Sequence, residues 1–147
     1  MRNFKFRVWD KELKEMNYEG SIGAGSGADF INISFDGKLF LNNAWGLDSF
    51  VRPKENGFTA DRFVLMQSVG LKDISGKEVF EGDILSAAKN RGENYEVIFD
   101  NGCFKIRSLK DKKIRPASVR NVVNRQLVVG NIFQKPINAS KRREKIN

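Results

Sequence analysis

The stretch Tyr95-Glu96-Val97-Ile98-Phe99-Asp100-Asn101-Gly102-Cys103-Phe104-Lys105-Ile106-Arg107 decides the fold class. Tyr95, Val97 and Phe99 alternate with their neighbours, Asp100-Asn101-Gly102 supplies a turn, and Phe104 and Ile106 then alternate with Lys105 and Arg107. A period of two on both sides of a glycine-bearing turn is the pattern of a β-hairpin. The same signal recurs upstream, where Phe30, Ile31, Ile33 and Phe35 precede Asp36-Gly37 and Leu39 and Leu41 follow. Asp-Gly suits a tight hairpin turn because both central residues need positive φ.

Further strands fall on either side. Phe4, Phe6 and Val8 alternate with Lys5, Arg7 and Trp9, which predicts a half-buried strand, and Asp10 to Asn17 reads as a turn or a single helical turn. Val64 to Gln67 reads as a short strand, and Gly70 starts a polar turn through Ser75-Gly76-Lys77. Val79-Phe80 and Ile84-Leu85 bracket the tight corner Glu81-Gly82-Asp83. Leu127 to Phe133 is the last apolar strand before Pro136, and Val119, Val122 and Val123 predict one short helix between residues 116 and 123. Gly20 to Gly27 holds four glycines in eight residues. It lacks the Gly-Lys-Ser/Thr of a P-loop, and a strand follows it, so it reads as a surface loop.

The expected fold is therefore mainly β (a β-rich α+β chain) in two subdomains. Residues 1–62 form an N-terminal β-rich part, residues 63–137 a small SH3-like or strongly bent β-barrel, and residues 138–147 a basic tail.

Composition removes several chemistries. The 147 residues include no histidine and one cysteine. This excludes a Ser-His-Asp or Cys-His arrangement, an imidazole metal ligand, a multi-cysteine zinc site and an internal disulfide. No cofactor is expected. Cys103, beside Phe104 in a strand, is expected to be a buried small hydrophobe. The N-terminus has no apolar signal region and no run approaches the ~20 residues of a membrane helix, so a cytoplasmic protein without membrane contact is expected. Asp73, Glu78, Glu81 and Asp83 gather in sequence, and such carboxylates can hold Mg²⁺ or act as acid and base. Their spacing around glycines reads instead as turn chemistry, with Asp73 and Asp83 accepting turn amides, so no metal site and no enzyme activity are expected.

Four blocks carry a family resemblance: Phe6-Arg7-Val8-Trp9-Asp10 with Met16 downstream, Leu65 to Asp73, Gly76 to Leu85, and Val129 to Phe133. Their order and spacing resemble the YopX family, small proteins found mainly in bacteriophages and prophages. The Phe99 to Phe104 hairpin is similar as well. Ser68-Val69 departs from the family, which often has an aromatic followed by Thr there. The resemblance implies a mainly β fold with a barrel-like C-terminal part, a tendency to oligomerise, and residence in the bacterial cytoplasm. It brings no catalytic residue and no cofactor.

Charge is the remaining signal. The net +8 is unevenly spread: residues 1–88 hold 11 Lys+Arg against 13 Asp+Glu, and residues 89–147 hold 15 against 5. Residues 105–125 carry eight cations and only Asp111 in opposition. Lys110, Lys112, Lys113, Arg115, Arg120 and Arg125 are the candidate nucleic-acid-binding residues. No helix-turn-helix or RNP pattern accompanies them, so DNA or RNA binding by them would be weakly sequence-selective. That reading is the alternative: the function expected first is a non-enzymatic, homo-oligomeric protein-interaction module of phage or prophage, in which the acidic and basic halves of neighbouring copies meet, with a further copy or another phage or host protein as the partner.

Overall fold

The computed structural model describes residues 4–18, 21–22, 29–33, 39–43, 63–87 and 93–134. It is a mainly β chain with one short helix. Two compact units divide it: Phe6–Met66, and Met1–Lys5 with Gln67–Asn147.

In the first unit, β1 (Phe6–Asp10) pairs antiparallel with β2 (Glu15–Asn17), Trp9 opposite Met16. The expected turn after Asp10 is therefore the tip of a hairpin. Asp10 pins it by accepting the N–H groups of Glu12 (2.9 Å) and Leu13 (3.1 Å). The half-buried strand expected here is instead buried on both faces, Arg7 to Asp10 all being covered. Arg7 itself is 1% exposed, its guanidinium donating to the Met66 sulfur at 3.6 Å. Alternation placed Arg7 outside because it cannot show the contact with Met66, which lies 59 positions away. β3 (Ser21–Ile22), β4 (Asp29–Ile33) and β5 (Leu39–Asn43) form an antiparallel sheet in that order. The hairpin of β4 and β5 is as expected, Ile33 opposite Leu39, while Asp36 and Gly37 lie outside the described residues. Ser21 and Ile22 pair with β4, so that part of the glycine segment is strand; Gly20 and residues 23–27 lie outside the described residues.

β6 (Phe63–Lys72) runs ten residues and passes from one unit into the other. The sequence predicts a strand of only Val64 to Gln67 and a turn from Gly70. The strand continues because Gly70, at φ +74°, takes the left-handed conformation of a bulge, and its N–H is met by the Ser68 hydroxyl at 3.1 Å. The register with β7 (Glu78–Phe80) moves accordingly, from Ser68 opposite Phe80 to Lys72 opposite Glu78.

The second unit is built on one curled sheet, a half-barrel. After β7 come β8 (Asp83–Ala87), β9 (Asn94–Asp100), β10 (Cys103–Ser108), β11 (Ile114–Arg115), α1 (Val119–Val123) and β12 (Gln126–Asn131). The sheet order is β11-β10-β9-β8-β12, all antiparallel. Its core joins Val79, Leu85, Val97, Ile106, Val119, Val123 and Val128. Each fully buried valine contributes about 1.5 kcal/mol or more over its exposed state. Ile84, Leu127 and Val129 form a separate cluster with Leu109, so β12 is covered on both faces, as its unbroken apolar run requires. The helix is as expected, with Val119 and Val123 as its buried residues.

Asp73 and Asp83 hold this unit's corners. One Asp73 oxygen accepts the Ser75 N–H (2.8 Å), the Ser75 hydroxyl (2.6 Å) and the Lys77 N–H (3.0 Å). The other reaches across to the buried N–H of Val128 on β12 at 2.9 Å. Asp83, 1% exposed, accepts the Phe80 N–H at 2.9 Å across the Glu81-Gly82 corner. Both aspartates thus serve turn amides, as the sequence suggested.

Candidate nucleic-acid interface

The β9–β10 hairpin leads directly into the segment that holds the candidate residues. Asn101 (φ +49°) and Gly102 (φ +78°) form its two-residue turn, both in the left-handed region that a type I′ turn needs. Asp100 opposite Cys103 closes the turn, and Phe99 lies opposite Phe104. Those two rings meet edge to face, centroids 5.2 Å apart and planes at 66°, and Phe99 is 51% exposed. Cys103, expected to be buried, is exposed. It alternates with Phe104 and Ile106, which pack inward, and so shares a face with Lys105 and Arg107.

Ser108, fully buried at the end of β10, organises the basic turn that follows. Its N–H donates to the Lys113 carbonyl (3.0 Å), its carbonyl accepts the Lys112 N–H (3.0 Å), and its hydroxyl accepts the Lys110 N–H (3.2 Å). Asp111 accepts the Lys113 N–H at 3.0 Å, and Lys112 sits at φ +60°. The backbone of this turn is therefore tied down while the side chains of Lys110, Lys112 and Lys113 stay exposed. Arg120 lies on α1 and Arg125 in the turn after it, both exposed.

Ion pairing separates the candidates. Arg115 pairs with Glu93 (2.8 Å) and Asp111 (3.0 Å), Arg107 with Glu96 (2.8 Å), and Lys105 with Asp100 (2.6 Å). Residues 93–134 contain eight cations and four carboxylates, and three of the cations engage all four carboxylates. Lys110, Lys112, Lys113, Arg120 and Arg125 form no ion pair among the described residues. Arg115 thus stands apart from the other five. Its hydrogen bond to Glu93 raises its pKa and holds the Glu93 carboxyl below its ordinary value. The Lys113 N–H, together with Ser108 and Arg115, likewise lowers that of Asp111, against the opposing effect of burial.

The sequence cluster of carboxylates does not converge. Among the described residues no group of three or more Asp, Glu or Cys side chains is placed to hold a metal ion. Glu78, rather than facing solvent freely, accepts from Ser68 (2.8 Å) and Lys5 (2.9 Å), and these bonds with the nearby Lys72 lower its pKa although burial opposes them. Glu81 moves the other way: burial raises its pKa and the neighbouring Glu96 adds to this, against the opposing effect of the Gln67 backbone.

Two open grooves flank Phe104. One, of about 610 Å³, lies between Phe4, Lys5, the β6 bulge and Glu78. The other, of about 530 Å³, lies between Cys103 and Lys105 on one side and Ile114 to Val119 on the other. The tight turn fixes which β10 groups face the second groove. Cys103, Lys105 and Arg107 bond β9, so the N–H and C=O of Phe104, Ile106 and Ser108 point toward β11. The last β11 pair is Ile106 with Arg115, and Pro116 follows, so Phe104 presents its backbone groups at an open edge.

Comparison with known proteins now places the chain. The model of the family described as YopX protein matches residues 5–138. The chain belongs to the YopX family. Among solved structures it is similar to the crystal structure of protein EF1440 from Enterococcus faecalis, at 27% sequence identity and a TM-score of 0.51. That likeness covers 90% of this chain and 95% of the other. None of the curated proteins matches. The four blocks quoted from the sequence are, in the structure of this YopX chain, strand and turn segments: β1, the β6 bulge, the β7–β8 corner and β12. Among its described residues no helix is long and apolar enough to cross a membrane.

Proposed function

We propose that this YopX-family chain is a non-enzymatic accessory protein of phage or prophage that binds nucleic-acid backbone with little sequence selectivity. The supporting observation is the partition of charge: the five exposed cations Lys110, Lys112, Lys113, Arg120 and Arg125 form no ion pair among the described residues, while the neighbouring described carboxylates are engaged elsewhere. Phosphate contacts position a protein on nucleic acid and carry no sequence information directly, which accounts for the weak selectivity. Arg115 acts in this reading as the brace of the basic turn.

The test is a mobility-shift titration of the triple variant Lys110→Glu/Lys112→Glu/Lys113→Glu against the parent protein on DNA and RNA at low salt. Loss of the shift supports the reading. Undiminished binding, or none by the parent protein, rejects it. A second reading, self-association, is favoured by the open backbone edge at Phe104, since an unpaired strand edge is a template for another strand. Light scattering decides it: a strict monomer at high concentration removes that reading.

A further inference from the structure

We infer that the nucleic acid is single-stranded and that its bases stack at the tip of the β9–β10 hairpin, on Phe99 and against the grooves beside Phe104. The inference rests on the proposed function and narrows it to one class of ligand.

Single strands are held by a cationic track together with aromatic faces on which bases stack. Both are present in this unit. Phe99 is 51% exposed, yet its ring is held against that of Phe104 in an edge-to-face contact, so exposed aromatic surface is offered by a braced ring. Phe104 lines both grooves, Phe4 (61% exposed) closes the first and Ile114 (44% exposed) the second. An apolar path thus runs from Phe4 past Phe104 to Ile114. Volumes of about 610 and 530 Å³ fall within the range that takes small planar ligands. Of the cations lining the two grooves, Lys5, Lys105 and Arg115 are engaged by Glu78, Asp100 and the Glu93–Asp111 pair, so the charge that draws a polyanion to this path is that of Lys110, Lys112, Lys113, Arg120 and Arg125 in the same unit, which form no ion pair among the described residues. A duplex keeps its bases stacked on one another and out of reach of such rings. Among the described residues the single helix has five residues, too short to read a major groove.

The experiment measures fluorescence anisotropy at low salt with fluorescein-labelled oligothymidylate of about 20 nucleotides, longer than a typical single-strand site. A duplex of the same length is the comparison. The single strand is expected to bind at least about ten-fold more tightly, and Phe99→Ala to weaken it about ten-fold while leaving the duplex unchanged. Phe99→Trp keeps the stacking face and is expected to retain binding. Ile132→Ala, exposed but lining neither groove, is expected to change nothing. Circular dichroism establishes that each variant is folded. Equal affinity for both probes, or a Phe99→Ala protein that binds the single strand like the parent, overturns the inference. If in that case the triple Lys→Glu variant still abolishes binding, the proposed function stands without it. If the parent protein binds neither probe, both fall.

Discussion

Replacing Asp73 tests the packing account most severely, because one carboxylate ties a turn to a strand 55 positions away. Asp73 is 5% exposed, and from described residues its carboxylate accepts three hydrogen bonds on one oxygen and one, from Val128, on the other. Asp73→Ala removes them all and leaves the buried Val128 N–H without a partner. That orphaned donor alone costs about 1–3 kcal/mol, and the lost charge-assisted bonds raise the total to about 3–5 kcal/mol. This is a large part of the ~5–15 kcal/mol that holds a typical domain together. Asp73→Asn keeps the shape but has one acceptor oxygen. If that oxygen serves Ser75 and Lys77, the amide NH₂ meets the Val128 N–H donor to donor, so roughly half the loss, about 2 kcal/mol, is expected. Urea titration reads the change as a fall in midpoint at constant slope, and amide exchange at Val128 reports it locally. The pH dependence has a definite sign. Burial raises the Asp73 pKa, but the bonds from Ser75, Val128 and Lys77 outweigh it and hold the folded value below the usual ~3.9. Its contribution is therefore present above about pH 4 and is lost as pH falls through the folded value, so parent and Asp73→Asn converge in acid. A loss under about 1 kcal/mol for Asp73→Ala, with Val128 still protected, would refute this reasoning.

Other expectations follow from the same geometry. Glu81, raised by burial and by Glu96, carries a charge the fold disfavours, so its contribution is present at low pH and lost as pH rises through its folded pKa. Glu81→Gln should accordingly stabilise at pH 7 by about 0.5 kcal/mol after solvent screening, with no gain below about pH 4; thermal melts at the two pH values check it. Cys103 is exposed, so a thiol reagent should label it in native buffer at a rate close to that in denaturant, and protection until unfolding would contradict the structure. Gly70 has open space around its Cα but φ +74°, so Gly70→Ala should cost about 1–2 kcal/mol through backbone strain rather than through a clash, measured by urea midpoint.

The hairpin of β9 and β10 was legible because alternation and turn chemistry agree residue by residue. What the sequence hid has physical causes. β11 is two residues inside a basic run and exists only because β10 offers it bonds. Gly70 looked like the start of a turn and is a bulge, since a positive-φ glycine serves either purpose. Cys103 could have been placed by parity, sharing its face with Lys105 and Arg107 rather than with Phe104. Among the candidate residues, composition marked all six alike. Only geometry distinguishes Arg115, because its partner Glu93 lies 22 positions away. Phe99 and Phe104 were read as strand residues, and nothing in alternation marks the point where an inward face runs past the end of the core.

The most direct measurement of the central claim is the salt dependence of binding to oligothymidylate. Five cations without an ion pair among the described residues, each neutralising one phosphate, predict that log K falls with log [salt] at a slope of about −3.5. The triple Lys→Glu variant should lose most of that slope. A slope near zero, or the same slope in parent and variant, would contradict the account.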